Sequence, residues 1–272
     1  MSTKALTYTG LERLVRDVKN DVGLLDMPKG EILHLSAGGC TTESIAQENG
    51  VIDVSGNGNH GQGIDNISVV NDDKKGFCYD FNNGCIEGNL NFDKTLTLAL
   101  NLYLKNTHNL NYANLFLSNK RDYAYFQVSI SSQKLMTINL YDNGNKNRTK
   151  IEYSVPSDEW HSYVFVVDLD NKILSFFVNG ELEEEKTIPY DYTDVTELTS
   201  YRMGRLSSSW YLKCKMSDIR IYPYALTPTQ VKTLYMLQEQ PLARVHSRNI
   251  IEPTDMTSSE IETMTSEIFT GE

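Results

Sequence analysis

Three glutamates at alternating positions have the spacing in this sequence that best suits hydrolytic chemistry. The stretch ELEEE contains Glu181, Glu183 and Glu185, and alternate residues of a strand share one face. Two carboxyl groups about 5 Å apart can act as acid and nucleophile on a glycosidic bond. The run directly follows the turn dipeptide Asn179–Gly180, so a solvated edge strand guarded by charge is the simpler interpretation, and we expect no catalysis.

The stretch DVSGNGNHG raises the alternative of nucleotide binding. Gly56, Gly58 and Gly61 have the spacing G-x-G-x-x-G. That motif holds a pyrophosphate only where a strand precedes the glycines and a helix follows them. Here QGIDNISVV follows, and its residues predict a turn and then a strand, so we expect no nucleotide site.

Composition narrows the classes of partner. The chain has 272 residues and a formal net charge of -11, which excludes the basic surface that nucleic-acid binding needs. No apolar run approaches the roughly 18 residues of a membrane span, and the first residues lack the apolar core of a signal peptide. The four cysteines form no C-x-x-C pair, and we expect buried free thiols at Cys40, Cys78, Cys85 and Cys214.

Short β-rich runs dominate from Glu31 to Asp218. In TLTLALNLYL the leucines from Leu96 to Leu104 alternate, which predicts one half-buried strand. Asn143–Gly144 and Asn179–Gly180 are hairpin turn signals. Many strands without helices between them predict an all-β, two-sheet antiparallel sandwich.

Helical patterns are confined to the ends of the chain. Residues 1–30 predict a short helix for attachment or oligomerisation, with an apolar stripe that includes Leu11, Leu14, Val18 and Leu25. Thr227 and Pro228 predict the start of a short helix that closes the sandwich domain, residues 31–237. Residues 238–272 are a polar, acidic tail in which Thr257 and Glu260 form a capping box, so it is a candidate docking helix or a frayed end.

Several segments in order resemble the laminin-G-like domains of the concanavalin A-like lectin/glucanase superfamily. They are DVSGNGNHG, FCYDFNNGCIEG, EWHSYVFVVDLDNKILSFFVNGELEEE and YRMGRLSSSWYLKCKMSDIRIYPYALTPTQVKTLY. The resemblance implies a jelly-roll sandwich with a non-catalytic, lectin-like function. In the superfamily's hydrolases a related E-x-D-x-E pattern is catalytic, but here the central residue is Glu183.

The same resemblance implies a calcium site and a sugar site. Calcium would take oxygens from Asp53, Asn57 and Asp218, where the first and last strands meet, although Ser217 replaces the first of the family's paired aspartates. The alternative is that Asp53 and Asn57 only cap a turn. Candidate aromatic side chains for stacking on carbohydrate are Trp210, Tyr211, Tyr123 and Tyr125, each of which could equally pack in the core.

The N-terminal stretch ALTYTGLERLVRDVK resembles the openings of many bacteriophage tail, baseplate and fibre proteins. Together with the absence of an export signal, it predicts a virion structural protein made in the host cytoplasm. Its expected partners are other virion proteins, host-surface carbohydrate and further copies of itself, a trimer being one arrangement. The alternatives are a divergent glycan hydrolase and an exported bacterial lectin or adhesin.

Overall fold

A computed structural model describes residues 28–92, 94–109, 113–118, 125–141, 148–189, 198–207 and 210–239. All of these belong to one compact unit, Asp26–Gln240. The N-terminal stripe of Leu11, Leu14, Val18 and Leu25, the turn at Asn143–Gly144 and the tail beyond Glu239 lie outside the described residues, so those predictions stay predictions.

The described chain is almost entirely β-structure. Its strands, β1 to β15 in order, are Leu33–Leu35, Gly61–Asp72, Gly76–Phe92, Leu96–Leu104, Ala113–Ser118, Phe126–Ile130, Leu135–Tyr141, Arg148–Ser154, Trp160–Asp168, Ile173–Val178, Glu181–Thr187, Leu198–Met203, Arg205–Ser207, Trp210–Tyr211 and Lys213–Tyr222. Two helices, α1 and α2, are Thr42–Ile45 and Pro228–Glu239.

One antiparallel sheet folds back on itself to make two layers. The strand order is β11-β10-β9-β4-β15-β3-β12-β5-β6-β7-β8, with β1 added at β15 and β2 at β3. Strand β3 belongs to both layers, because its first half pairs with β15 and its second half with β12. Phe126 of β6 faces Phe165 of β9 with ring centroids 6.2 Å apart, so the layers pack face to face. The predicted all-β antiparallel sandwich is confirmed.

The leucine alternation of β4 is confirmed, but the prediction of a half-buried strand is wrong. Leu96, Leu98, Leu100, Leu102 and Leu104 all belong to the main core. The opposite face of β4 is also buried, because α2 packs over it and forms a second, smaller core that includes Ala99, Val164, Val166, Val231 and Leu234.

A hairpin turn and the start of helix α2 lie where short sequence signals predicted them. Asn179 and Gly180 have φ angles of 51° and 79°, the left-handed pair that a two-residue hairpin turn needs. At the start of α2 the Thr227 hydroxyl accepts from the backbone N–H of Gln230 at 3.2 Å, and the Gln230 side chain accepts from the Thr227 N–H at 3.0 Å. This capping box positions the helix over the sheet.

Trp160, the first residue of β9, does not lie in the core. It is half-buried, its indole N–H donates to Asp72 at 3.0 Å, and its ring lies 5.7 Å from that of Tyr103. Strand alternation explains this position, because Tyr163, Phe165 and Val167 of the same strand already fill the core-facing positions.

All four cysteines are buried free thiols, as predicted. Burial raises the pKa of Cys78 and of Cys85 to about 12, so neither is a reactive thiolate at neutral pH. Among the described residues, no helix is long and apolar enough to cross a membrane.

Candidate functional site

The glycine-rich stretch forms a turn that leads directly into a strand. Gly56 and Gly58 have φ angles of 89° and 72°, and β2 begins at Gly61. A dinucleotide loop would need a helix N-terminus after the last glycine. The G-x-G-x-x-G spacing therefore belongs to a turn, as the sequence context indicated.

Asp53 holds that turn together. Its Oδ1 accepts from the backbone N–H groups of His34 at 2.9 Å and Ser55 at 3.0 Å, and its Oδ2 accepts from the Ser55 hydroxyl and the Asn59 N–H, both at 2.9 Å. Burial alone would raise the pKa of Asp53, but these hydrogen bonds outweigh it and hold the pKa below its ordinary value. Asn57 donates its side-chain amide to the Glu31 carbonyl at 2.9 Å.

Asp218 occupies a different network. Its Oδ1 lies 2.7 Å from Nε2 of His34 and 2.9 Å from Nε of Arg220, and its Oδ2 accepts from Gln238 at 2.6 Å. Asp53 thus binds the backbone N–H of His34, and Asp218 binds its imidazole ring.

These residues do not fit a calcium ion as they stand. The carboxylates of Asp53 and Asp218 both already accept hydrogen bonds, and the Arg220 guanidinium contributes a positive charge beside Asp218. Calcium needs several unshared oxygens around one point. In the described ranges, no group of three His, Cys, Asp or Glu side chains could hold a metal. Calcium at Asp53, Asn57 and Asp218 stays a prediction, and the fourfold hydrogen bonding of Asp53 favours the turn-capping alternative.

The first testable prediction follows from this capping role. Asp53→Ala should lower the free energy of unfolding by about 2 kcal/mol, because it leaves several turn donors without an acceptor. Excess EDTA should leave the melting temperature of both wild type and variant unchanged. Differential scanning fluorimetry with EDTA and with added calcium measures both effects, and a calcium-dependent rise in wild type that Asp53→Ala abolishes would establish the metal site instead.

The glutamate run forms the exposed edge strand β11. Glu184 pairs across the sheet with Phe176 but Leu182 pairs with Phe177, so a bulge interrupts the alternation. Because such a bulge shifts the following side chains to the other face, Glu181 and Glu185 do not share one face. Glu181 contacts Lys232 of α2, and Glu185 accepts from the Ser175 hydroxyl at 3.0 Å. The expectation of three glutamates on one face is wrong for this reason.

Trp210 presents the most exposed aromatic ring among the described large hydrophobic side chains, at 44%. It lies in β14, which pairs with β13 in a short hairpin that packs against β3 and β5. Tyr211 is half-buried and lies opposite Arg205. Tyr125 is only 1% exposed and belongs to the core, so its ring cannot stack on a ligand, and Tyr123 lies outside the described residues.

Two arginines fix this hairpin on the sandwich. Arg202 donates to Glu87 across the strand pair at 2.6 Å and to the Leu206 carbonyl at 3.3 Å. Arg205 contacts Asp65, which has a φ angle of 60° beside an irregularity in the pairing of β2 with β3. The exposed ring of Trp210 is therefore carried on a short, braced element.

Next to the hairpin, the outer face of β5, β6 and β7 is lined with amide and hydroxyl side chains. We call this the amide face, and it consists of Asn114, Gln127, Ser129, Thr137 and Asn139. These residues alternate with core residues and lie opposite one another across the strands. Sequence reasoning missed them, because amides that alternate with apolar residues are equally typical of a solvated sheet face.

The amide face contains two buried groups that lack partners. Gln127 donates to Oδ1 of Asn114 at 2.8 Å. Nδ2 of Asn114 and Oδ1 of Asn139 have no hydrogen-bond partner in the described part of the chain, although the two residues are 0% and 3% exposed. A buried polar group without a partner costs about 1–3 kcal/mol, so these two amides stabilise the fold less than partnered ones would.

A two-layer antiparallel sandwich with polar amides on one outer face and an exposed aromatic beside it has the architecture of a lectin-like jelly roll. The family model for the concanavalin A-like lectin/glucanases superfamily, of laminin G type, matches residues 82–232. The chain belongs to this superfamily.

Solved structures share the fold at low identity. The binding domain of botulinum neurotoxin DC in complex with rat synaptotagmin II matches with a TM-score of 0.61 and 13% identity, over 77% of this chain and 52% of that one. The botulinum neurotoxin serotype G binding domain gives 0.60 and 19%, over 77% and 51%. The binding domain of Paraclostridial Mosquitocidal Protein 1 gives 0.57 and 14%, over 75% and 51%.

The chain therefore spans about half the length of these solved chains, and the likeness concerns the fold. No curated protein matches the sequence.

Proposed function

We propose that this chain is a non-catalytic glycan-binding protein and that the amide face with Trp210 is its binding surface. The observation that carries the proposal is the exposed ring of Trp210, carried on a braced hairpin beside the half-buried Gln127 and Thr137 of the amide face. An amide offers a donor and an acceptor to sugar hydroxyls. An indole ring offers an apolar surface with a polar edge, which suits the face of a pyranose.

Features of the fold neighbours support this proposal. One of the solved structures, of botulinum neurotoxin type C, carries a title stating that cell entry is dependent upon interaction with two ganglioside molecules. It matches this chain with a TM-score of 0.60 at 12% identity, so it shows that the fold is compatible with glycan recognition in that protein. The non-catalytic part of the proposal is supported by strand β11, whose residues Glu181, Glu183 and Glu185 are exposed and whose pairing is interrupted by a bulge.

The second testable prediction separates binding from folding. Asn139→Leu should leave stability unchanged or higher, because it removes an unsatisfied buried oxygen without a large change of volume. Trp210→Ala should weaken glycan binding at least about tenfold, and Gln127→Ala should weaken it as well, whereas Asn139→Leu should leave binding unchanged. Full-length protein is assayed on an array of bacterial lipopolysaccharides and capsular polysaccharides, with affinities then measured by calorimetry.

Phe77→Ala is the matched control. Phe77 is 39% exposed, as an aromatic ring comparable to Trp210, but it lies in the first half of β3, away from the amide face. Binding that stays at the wild-type level in both Trp210→Ala and Gln127→Ala, or absence of any binding on the array, would contradict the proposal. The same polysaccharides are checked for cleavage. Hydrolysis that disappears in Glu181→Gln or Glu185→Gln would show an enzyme instead.

The further part of the proposal is that the protein is a structural component of a bacteriophage tail, baseplate or head fibre. It rests on the N-terminal LTYTGL stretch alone. Adjacent capsid, tail and lysis genes, and the chain located by electron microscopy in purified virions, are the expected results. Adjacent surface-export genes and absence from virions would instead support a bacterial adhesin.

A further inference from the structure

His108 is a buried histidine that none of the proposed binding surface uses. It lies in the segment Lys105–Asn109, directly after β4, and is 2% exposed. Neither ring nitrogen makes a hydrogen bond of acceptable geometry within the described chain. Its backbone N–H donates to the Lys105 carbonyl at 2.9 Å, so the imidazole is held inside a tight turn.

The segment Lys105–Asn109 closes one end of the sandwich by contacts to both layers. The Lys105 N–H donates to the Lys213 carbonyl of β15 at 3.0 Å. From the turn between β6 and β7, the Lys134 ammonium contacts Oδ1 of Asn106 at 2.6 Å and the Ser157 hydroxyl at 2.8 Å. The Asn106 N–H donates to Asp158 at 2.9 Å. Loosening this segment would therefore break these contacts at that end of the sandwich.

The charges around the imidazole all oppose its protonation. Burial lowers the pKa of His108, and the ammonium groups of Lys213 and Lys134 lower it further. The nearby carbonyl groups of Ile130 and Ser131 favour the protonated ring but do not outweigh burial. In the described part of the chain, the carboxylates at this segment contact groups other than the imidazole: Asp80 contacts the Lys105 ammonium, and Asp158 accepts from the Asn106 N–H. Protonation of His108 would add a third positive charge, beside those of Lys213 and Lys134, at a buried position.

We propose that His108 is an acid-sensitive latch, and that its protonation releases the segment Lys105–Asn109 from the end of the sandwich while the two layers stay folded. Opening the segment lets the ring take up a proton from water, and acid therefore favours the open form. The latch does not depend on glycan binding.

The third testable prediction concerns local hydrogen exchange of the full chain. Exposed histidine has a pKa of about 6.5 and burial lowers the pKa of the closed form, so the opening constant of the segment should rise severalfold, at most about tenfold, from pH 7.5 to pH 5.5. After correction for the intrinsic pH dependence of exchange, peptides that cover residues 105–109 should show this rise. In His108→Phe the rise should vanish, since that ring cannot take up a proton.

His161→Gln is the matched control, because His161 already has a partner, with Nδ1 3.1 Å from the Asn179 amide. The His161→Gln variant should keep the wild-type rise at residues 105–109. Urea unfolding at pH 7.5 shows whether each variant is folded before exchange is measured, and His108→Leu is a second variant without a titratable ring. An equal rise in His108→Phe, no rise in wild type, or a uniform rise across the whole sandwich would each overturn the latch.

Discussion

Gly88→Ala should disrupt the pairing of β3 with β12, with a loss of about 3 kcal/mol in the free energy of unfolding. A Cβ at this position in β3 would lie 2.4 Å from three atoms of the Tyr201 ring, Cε1, Cζ and the hydroxyl oxygen. Tyr201 is fully buried in β12, the strand paired with β3. The Tyr201 hydroxyl also lies close to the backbone of Gly61, since a Cβ built on that glycine would be 2.8 Å from it, so the ring has little space on that side.

Gly58→Ala separates this steric effect from backbone strain. Gly58 has a φ angle of 72°, but a Cβ there would meet nothing within 4 Å, so only a strain of about 1–2 kcal/mol is expected. The double variant Gly88→Ala, Tyr201→Leu removes the clashing ring atoms and should be more stable than the sum of the single effects. Urea unfolding of wild type, Gly58→Ala, Gly88→Ala, Tyr201→Leu and the double variant measures this, and a Gly88→Ala variant within 1 kcal/mol of wild type would show that the Tyr201 ring can move aside cheaply.

Much of the fold was predictable because its local signals are strong. The alternation from Leu96 to Leu104, the turn at Asn179–Gly180 and the capping box at Thr227 each depend on residues close in sequence. A strand's alternation defines its core face whatever its neighbours are. The segments that resemble the superfamily then gave the order of the strands.

The candidate site was only partly predictable because it depends on contacts between distant strands. Trp210 could be singled out as an aromatic in a polar loop, and it is exposed. Tyr125 looks equally suitable in sequence, but it lies directly before β6 and its ring is buried in the main core. Asn114 and Asn139 become notable only once β5, β6 and β7 are neighbours and the two amides prove to be buried.

The glutamate run illustrates a second limit. Its period of two predicts a shared face, yet a bulge opposite Phe176 and Phe177 shifts the register within the run. A bulge of this kind leaves no reliable mark on the sequence, because any residue can occupy it. An argument for paired carboxylates that rests on alternate spacing therefore fails at an edge strand, where bulges are common.

Asp218→Asn should be the most damaging loss of a single charge, at about 2–4 kcal/mol near pH 7. Asp218 sits at an irregularity of β15 with a φ angle of 51°, and it joins His34 of β1, Arg220 of β15 and Gln238 of α2. Its side chain is 22% exposed and that of Arg220 is 20% exposed. Loss of one partner from such a pair leaves the other charge poorly compensated. Asparagine tolerates the left-handed backbone, so the substitution removes charge with little added strain.

The same network makes stability depend on pH in a defined direction. Burial opposes ionisation of Asp218, but Arg220 and His34 outweigh it and hold its pKa well below the ordinary value. Since the unfolded chain titrates near pH 3.9, the stabilisation is complete above that pH and is lost as the pH falls below it. The difference between wild type and Asp218→Asn should therefore be present at pH 7 and pH 5 and shrink progressively below pH 4.

Asp65→Asn provides a matched control for this experiment. Asp65 also has a left-handed φ angle, 60°, and also pairs with an arginine, Arg205, but its side chain is 57% exposed. An exposed pair contributes less than about 1 kcal/mol and is screened by salt. Urea unfolding at pH 7, 5, 3.5 and 2.5 compares the two variants with wild type. Equal losses for both variants, or a loss for Asp218→Asn that is as large at pH 2.5 as at pH 7, would show that Asp218 contributes through its shape and not through its charge.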